Sequence, residues 1–195
     1  MKKILALMLA ALAVFTLRAN DADDVKATLN KINQLGCELK LAEALQYYAP
    51  EYVGVSARGQ KVTYADAERI AKAIDVMFDE ASSVTAVYKA FAEIQGATLD
   101  ENQADKAREL EKNEELKQAF RNQMNLAKNM MRATLREQAA SFKILDVKVS
   151  GNNATAICRE READTGKETE RACKLVKTNG KWRIVSDQSK YLEMK

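Results

Sequence analysis

FKILDVKVSGNNATAICREREADTGKETERACKLVKTNGKWRIVSDQ, residues 142 to 188, is the stretch whose reading decides the fold. Three short loops, Gly151-Asn152, Thr165-Gly166 and Asn179-Gly180, divide it into four runs of alternating character. Asn-Gly suits the positive φ angles of a two-residue hairpin turn, so the runs are predicted to be four antiparallel strands in sequence order. Each loop then fixes a register. Around Asn179-Gly180, Leu175 is predicted to face Ile184, and Lys177 to face Trp182. Around Gly151-Asn152, Val149 faces Ala154, Val147 faces Ala156 and Leu145 faces Cys158. With Thr165-Gly166 at the tip of the middle hairpin, Glu160 falls opposite Arg171, Arg161 opposite Glu170 and Asp164 opposite Lys167, all favourable cross-strand pairs. A slip of one residue sets Glu160 against Glu170 and Arg159 against Arg171, which argues against it.

Alternation along the strands collects Leu145, Val147, Val149, Ala154, Ala156, Cys158, Cys173, Leu175, Trp182 and Ile184 on one face. The other face carries Asp146, Lys148, Arg159, Arg161, Glu170, Lys174, Arg183 and Asp187 and is expected to be wet. The same register sets Cys158 directly opposite Cys173, at the roughly 4.5–5.5 Å that separates facing Cα atoms, within the reach of a disulfide. A Cys158–Cys173 disulfide is therefore expected, with Cys37 left free. Three reduced core thiols are the competing reading.

At the other end of the chain, Met1-Lys2-Lys3 is basic, Ile4 to Leu17 is almost wholly apolar, and small residues follow at Ala19 and Ala22. That is the layout of a secretory signal peptide, too short for a comfortable membrane span. Residues 1–19 are expected to be removed, with cleavage at 22 as the other option, leaving 20–195 as a single periplasmic or secreted domain. Loss of Lys2, Lys3 and Arg18 takes the formal net charge from +3 to zero. A neutral domain without a basic run offers no footprint for nucleic acid, and nothing binds it to a membrane once the leader is gone.

Between leader and sheet the chain is helix-rich. Asp21, Asp23 and Asp24 open a helix carrying Val25, Leu29, Ile32 and Leu35, closed by Gly36. A second helix is expected from about Glu38 to Tyr48, stopping before Pro50, followed by a short strand from Tyr52 to Ser56 turned at Arg58-Gly59 into Lys61 to Thr63. Thr63 with Asp66 reads as a capping box for a helix whose stripe is Ile70, Ile74, Met77, Phe78 and Ala81. Ser82-Ser83 breaks that helix, and Val84 to Ile94 continues to Gly96. Thr98 with Glu101 repeats the capping pattern. A long amphipathic helix, or two jointed near Asn113, then carries Leu116, Phe120, Met124, Ala127, Met131 and Leu135 to Ser141.

Tyr47-Tyr48-Ala49-Pro50-Glu51-Tyr52-Val53-Gly54-Val55, then Gly59-Gln60-Lys61-Val62-Thr63 leading into a helix, and the closing run from Ile144 to Ser186 together resemble the nuclear transport factor 2-like superfamily. The resemblance covers about residues 24–75 and 140–192. It implies an α+β fold, a cystatin-like roll in which a curved antiparallel sheet packs on helices as a cone with an internal pocket; residues of about 76–139 depart from that pattern as a helical insertion. Members include SnoaL-like cyclases and ketosteroid isomerases, whose enzymes work with Asp, His or Tyr inside the cone. This chain contains no histidine. The positions matching the isomerase tyrosine fall near Leu29 or Ile32 and those matching its aspartate near Val55 or Ser56, so no catalytic residue is assigned.

No metal is expected, because zinc and most transition metals want His or Cys in close array; the acidic residues around Asp100 to Glu115 alternate with Lys and Arg as a solvated face. No cofactor motif appears. Tyr48, Tyr52, Tyr64 and Trp182 are the pocket-lining residues, because amphipathic rings can contact a ligand and still satisfy a polar end; core packing is the alternative role for each. The leading expectation is a non-enzymatic protein that binds a small apolar or amphipathic ligand, or a protein partner through its extra helices; the alternatives are an isomerase, cyclase or hydrolase using a buried Asp or Glu, and a homodimer or larger assembly formed through the Leu116 to Leu135 stripe.

Overall fold

A computed structural model describes residues 21–162 and 165–192. The leader up to residue 20, with its Ala19 cleavage option, lies outside the described residues, as does Asp164 of the expected Asp164–Lys167 pair, whereas Ala22, the other option, falls in the first turn of the first helix.

The first helix, α1, spans residues 21–37 and is followed by the single turn α2 (Leu41–Ala44) and a 3₁₀ turn, Leu45–Tyr47. The strand β1, Tyr48–Val55, begins where the second helix was expected to be ending. Pro50 therefore sits inside an irregular strand instead of terminating a helix, and the pairing of β1 shifts between Tyr48 and Val53 to accommodate it. Next come β2 (Lys61–Thr63), α3 (Tyr64–Phe78) and α4 (Val84–Ile94). Thr63 and Asp66 form the capping box in full, and Ser83 caps α4 by accepting from the Ala86 N–H. The helix α5, Glu101–Lys112, is capped by Asp100, not by Thr98 as the sequence pattern suggested. Asn113 is the joint: its side chain accepts from the N–H groups of Glu115 and Leu116 and starts α6, Glu114–Ser141.

The strands β3 (Lys143–Ser150), β4 (Asn153–Arg161), β5 (Glu168–Thr178) and β6 (Lys181–Tyr191) follow as the expected meander. The sheet is curved and unclosed, in the order β2-β1-β6-β5-β4-β3, with β1 parallel to β6 and every other pair antiparallel. Returning β6 beside β1 ties the ends of the domain together. The outer hairpins hold the expected partners Leu175–Ile184, Lys177–Trp182, Val149–Ala154 and Val147–Ala156.

Three expectations are overturned here. Leu145 does not face Cys158; it is the extra residue of a bulge, Ile144 takes its place, and Leu145 is left 47% exposed. The middle hairpin is shifted by two residues, so Cys158 faces Arg171, Cys173 faces Ala156, and the ion pairs are Arg159–Glu170 and Arg161–Glu168. A two-residue shift keeps every side chain on its face and exchanges one set of favourable charge pairs for another, so charge alone could not separate the registers. Cys158 and Cys173 are consequently diagonal neighbours, and both are free thiols instead of the expected disulfide. The third is Asp187. A bulge at Val185, between the pairs Leu175–Ile184 and Lys174–Ser186, inverts the alternation beyond it and turns Asp187 to the inner face.

Two cores result. In the first, Val25, Leu29 and Ile32 of α1 fill the concave side of the sheet against Ala154, Ala156, Leu175, Trp182 and Ile184. The second lies among the helices, where Leu39, Ala73, Met77, Phe78, Val87 and Ala90 are buried and Phe120, Met124 and Leu135 of α6 pack against them. Part of the expected α6 stripe is thus covered by its own chain. On the opposite side of α6, Leu126 and Met130 are 61% and 63% exposed.

Candidate functional site

The polar residues of interest gather on the inner face of the sheet, where β1, β6, β5 and β4 lie side by side. Val185 bulges out of β6, which brings Asp187 opposite Cys173 on one side and Gly54 of β1 on the other. Two residues before Gly54, Tyr52 points to the same face, and its hydroxyl donates to Asp187 Oδ2 at 3.1 Å. Gly54 is what admits this bond: a Cβ there would lie 2.2 Å from Tyr52 Oη and 2.8 Å from Asp187 Oδ1. The ring of Tyr48 stands edge-on to that of Tyr52, with centroids 4.8 Å apart at 76°.

On β5 and β4, Arg171 and Glu160 occupy the same face, two residues before Cys173 and two after Cys158 respectively. The Arg171 guanidinium lies 5.9 Å from the Phe142 ring, its Nε is buried without a hydrogen-bond partner, and among the described residues it forms no salt bridge. It therefore sits between two acids, Glu160 and Asp187, in the field of both and in contact with neither.

These surroundings set the protonation of each group. Burial raises the Asp187 carboxyl above the ordinary aspartate value, against the pull of Arg171 and the Tyr52 hydroxyl, with Glu160 adding to the rise. Burial first, and the neighbouring Asp187 second, push the Tyr52 phenol far up, while burial pushes Tyr48 up to about 12. Both phenols are donors at neutral pH. Burial works against the charge on Arg171, but the surrounding Cys173, Glu160, Tyr48 and Asp187 outweigh it and the guanidinium holds its proton. Beside them the sulfurs of Cys158 and Cys173 share a hydrogen bond, which together with burial raises the Cys173 thiol.

Toward the tip of the sheet the cluster continues into a second network. Arg58 Nε donates to Tyr191 Oη at 3.2 Å, Tyr191 Oη lies 3.2 Å from Glu162 Oε2, and Lys167 stands 5.1 Å over the Tyr191 ring. A cleft of about 730 Å³ opens at this end between α6 and β4, lined by Ser141, Leu145, Arg161 and Glu168 and reaching Glu160.

Of the four residues the sequence singled out for a pocket, Tyr48 and Tyr52 come together in this cluster. Tyr64, the first residue of α3, packs half-buried against the same core. Trp182 is only 2% exposed and lies five residues before Asp187 along β6, about 16 Å away at the usual rise per residue. Its indole N–H has no partner, and Lys177 stands 5.7 Å over its ring. Sequence reasoning missed Asp187, Arg171, Glu160 and Gly54. For Glu160 and Arg171 the signal was present, because counting two residues on from the inward-facing Cys158 and two back from the inward-facing Cys173 places them inside under either register. Asp187 carried no such signal, since a one-residue bulge leaves no mark on composition.

Among the described residues no group of three or more His, Cys, Asp or Glu side chains is arranged to hold a metal ion. What the site offers is a carboxyl whose proton affinity burial raises above that of an ordinary aspartate, phenol donors and a cation, on an otherwise apolar wall.

No protein-family model matches the chain, and no curated protein matches it. Solved structures do. An NTF2-like protein with a cystatin-like fold from Novosphingobium aromaticivorans is 12% identical and superposes with a TM-score of 0.52 over 96% of this chain and 92% of that one. An NTF-2-like protein of unknown function from Silicibacter pomeroyi is 11% identical over 89% and 98% of the two chains, at a TM-score of 0.47. The chain has the nuclear transport factor 2-like, cystatin-like fold, α+β with a curved sheet wrapped on helices.

Proposed function

We propose that this chain is an exported binding protein that takes a small amphipathic molecule on the concave face of its sheet, polar end against Tyr52, Asp187 and Arg171. The observation that carries the reading is the unpaired Arg171 beside the Tyr52–Asp187 hydrogen bond, on a face that otherwise holds a hydrophobic core. Buried polar groups are ordinarily satisfied within the protein. A polar group left without a protein partner beside such a core is where a ligand can make a specific contact. The basic, apolar and small-residue succession of residues 1–22 supports export. Native mass spectrometry of protein purified from the periplasm tests both parts: a mass matching cleavage after Ala19 or Ala22 plus a non-covalent adduct supports them. A full-length chain confined to the cytoplasm would remove export, and bare protein that no amphipathic compound stabilises against heat would remove the ligand.

A second reading, an isomerase, cyclase or hydrolase, is favoured by one feature. Asp187 combines a raised proton affinity with a phenol donor, the pairing that general acid–base chemistry uses. Turnover of any compound that binds, abolished by Asp187→Asn with binding retained, would establish it.

A further inference from the structure

We propose that the polar end of the cone's ligand is a carboxylate, held by Arg171, on an amphipathic acid whose hydrocarbon part lies along Phe142, Ile144 and Tyr48. This rests on the binding reading above and specifies its ligand class.

A guanidinium carries five N–H groups in a planar fork matched to the two oxygens of a carboxylate. In the described residues Arg171 uses none of them in a hydrogen bond or salt bridge, and its Nε is shut off from water. On the neighbouring strand β4, Arg159 and Arg161 form salt bridges with Glu170 and Glu168, although the Nε of Arg159 is also buried without a partner, so acid partners are not scarce in this sheet. Arg171 is instead braced against the Phe142 ring with Glu160 and Asp187 on the neighbouring strands, both out of reach. A cation held in place by packing and left without an acceptor is prepared for an acceptor from outside.

The charge balance selects a monoanion. With carboxyls at Glu160 and Asp187 on either side, the surroundings of Arg171 already hold two acids to one cation, and a multiply charged group such as a phosphate dianion would be repelled. A single carboxylate is accommodated by one adjustment, protonation of Asp187. The groups facing that carboxyl are Tyr52 from β1, Arg171 and Cys173 from β5, and Glu160 from β4. When a ligand oxygen takes up the guanidinium, Asp187 loses part of the one interaction with a cation that opposes its protonation, and gains a neighbouring negative charge. An amine would satisfy the acids but meet the guanidinium between them. The apolar part of the ligand follows from the walls: Phe142, Ile144, Val147 and Tyr48 are all partly buried hydrophobic residues packed at the margin of the core, and solvent still reaches them.

Isothermal titration of the whole folded chain with decanoate and with decanol, its neutral counterpart, tests the proposal. Decanoate is expected to bind at least tenfold more tightly than decanol, with net proton uptake, visible as a dependence of the measured heat on the buffer's ionisation enthalpy. Arg171→Gln should cost decanoate roughly tenfold to a hundredfold and leave decanol unchanged, as befits loss of a charge-assisted hydrogen bond. Arg171→Lys, which keeps the charge but not the fork, should fall between. Equal affinities for acid and alcohol, in wild type and in Arg171→Gln, would overturn the carboxylate while leaving the cone as a binding site. Binding of neither would overturn both readings. Because the comparison of acid with alcohol is made on wild type, it stands even where a variant fails to fold.

Discussion

Gly54 is the residue on which the site's geometry turns, because it gives up a side chain so that Tyr52 and Asp187 can meet. Gly54→Ala is expected to destabilise the fold by about 1–3 kcal/mol, the range of an overpacked core, through the contact of the new methyl with Tyr52 Oη. Tyr52→Phe should cost about 1 kcal/mol for the lost hydrogen bond. The two should not add: with the phenol oxygen gone the methyl loses its worst contact, so Gly54→Ala costs less in the Tyr52→Phe background. Urea unfolding of the four-member cycle measures this, and simple additivity would mean that Gly54 acts elsewhere. Asp187 makes a separate prediction through pH. Its folded-state proton affinity is raised, so relative to Asp187→Asn its contribution to stability is full below the ordinary carboxylate value and is lost as pH rises through the raised one. The stability difference between wild type and Asp187→Asn should therefore fall across that window. Curves that stay parallel from acid to neutral pH would show that burial does not govern this carboxyl.

Among the elements, how much could be read from sequence depended on whether the information was local. The loops Gly151-Asn152 and Asn179-Gly180 fixed their hairpins to the residue, since a tight turn leaves no freedom to slide. The middle hairpin has a longer connection, with Arg161–Glu168 its last pair, so no tight turn fixes its register locally. Both bulges were invisible for a related reason: Leu145 and Val185 look like any strand residue, and only the curvature demanded by the helices beneath selects them. The inversion at Val185 is what converts a surface aspartate into the centre of the site. Helix boundaries were legible where a cap wrote them, as at Thr63, Ser83 and Asn113, and misplaced at Thr98, where Asp100 two residues on is the better acceptor. Asn113→Ala should accordingly cost about 1 kcal/mol, the usual value of an N-cap. It removes the acceptor of the Glu115 and Leu116 N–H groups, at 3.0 and 3.1 Å. A loss below a few tenths, measured by urea unfolding, would show that α5 holds the start of α6 without it.

At the scale of the molecule the two cores divide the labour. The sheet with α1 encloses the site and includes the most deeply buried side chains, Leu29, Leu175 and Ile184 among them. The helical part holds α6 by a handful of half-buried contacts: none of its 28 residues is fully buried, and its best anchors are Phe120, stacked on Tyr88 at 5.8 Å, and Met124 and Leu135. Stability follows buried apolar area, so the two parts should open separately. Native-state hydrogen exchange of the isolated chain is expected to show the middle of α6 exchanging through a low-energy opening while β5 exchanges only with global unfolding. Phe120→Ala should speed exchange along α6 and leave β5 nearly untouched, whereas Leu175→Ala should lower protection everywhere by the roughly 2–5 kcal/mol of a large core truncation. Equal protection of α6 and β5 would contradict the division. If that protection faded on dilution, Leu126 and Met130 would be covered by a second copy, since only an intermolecular contact depends on concentration.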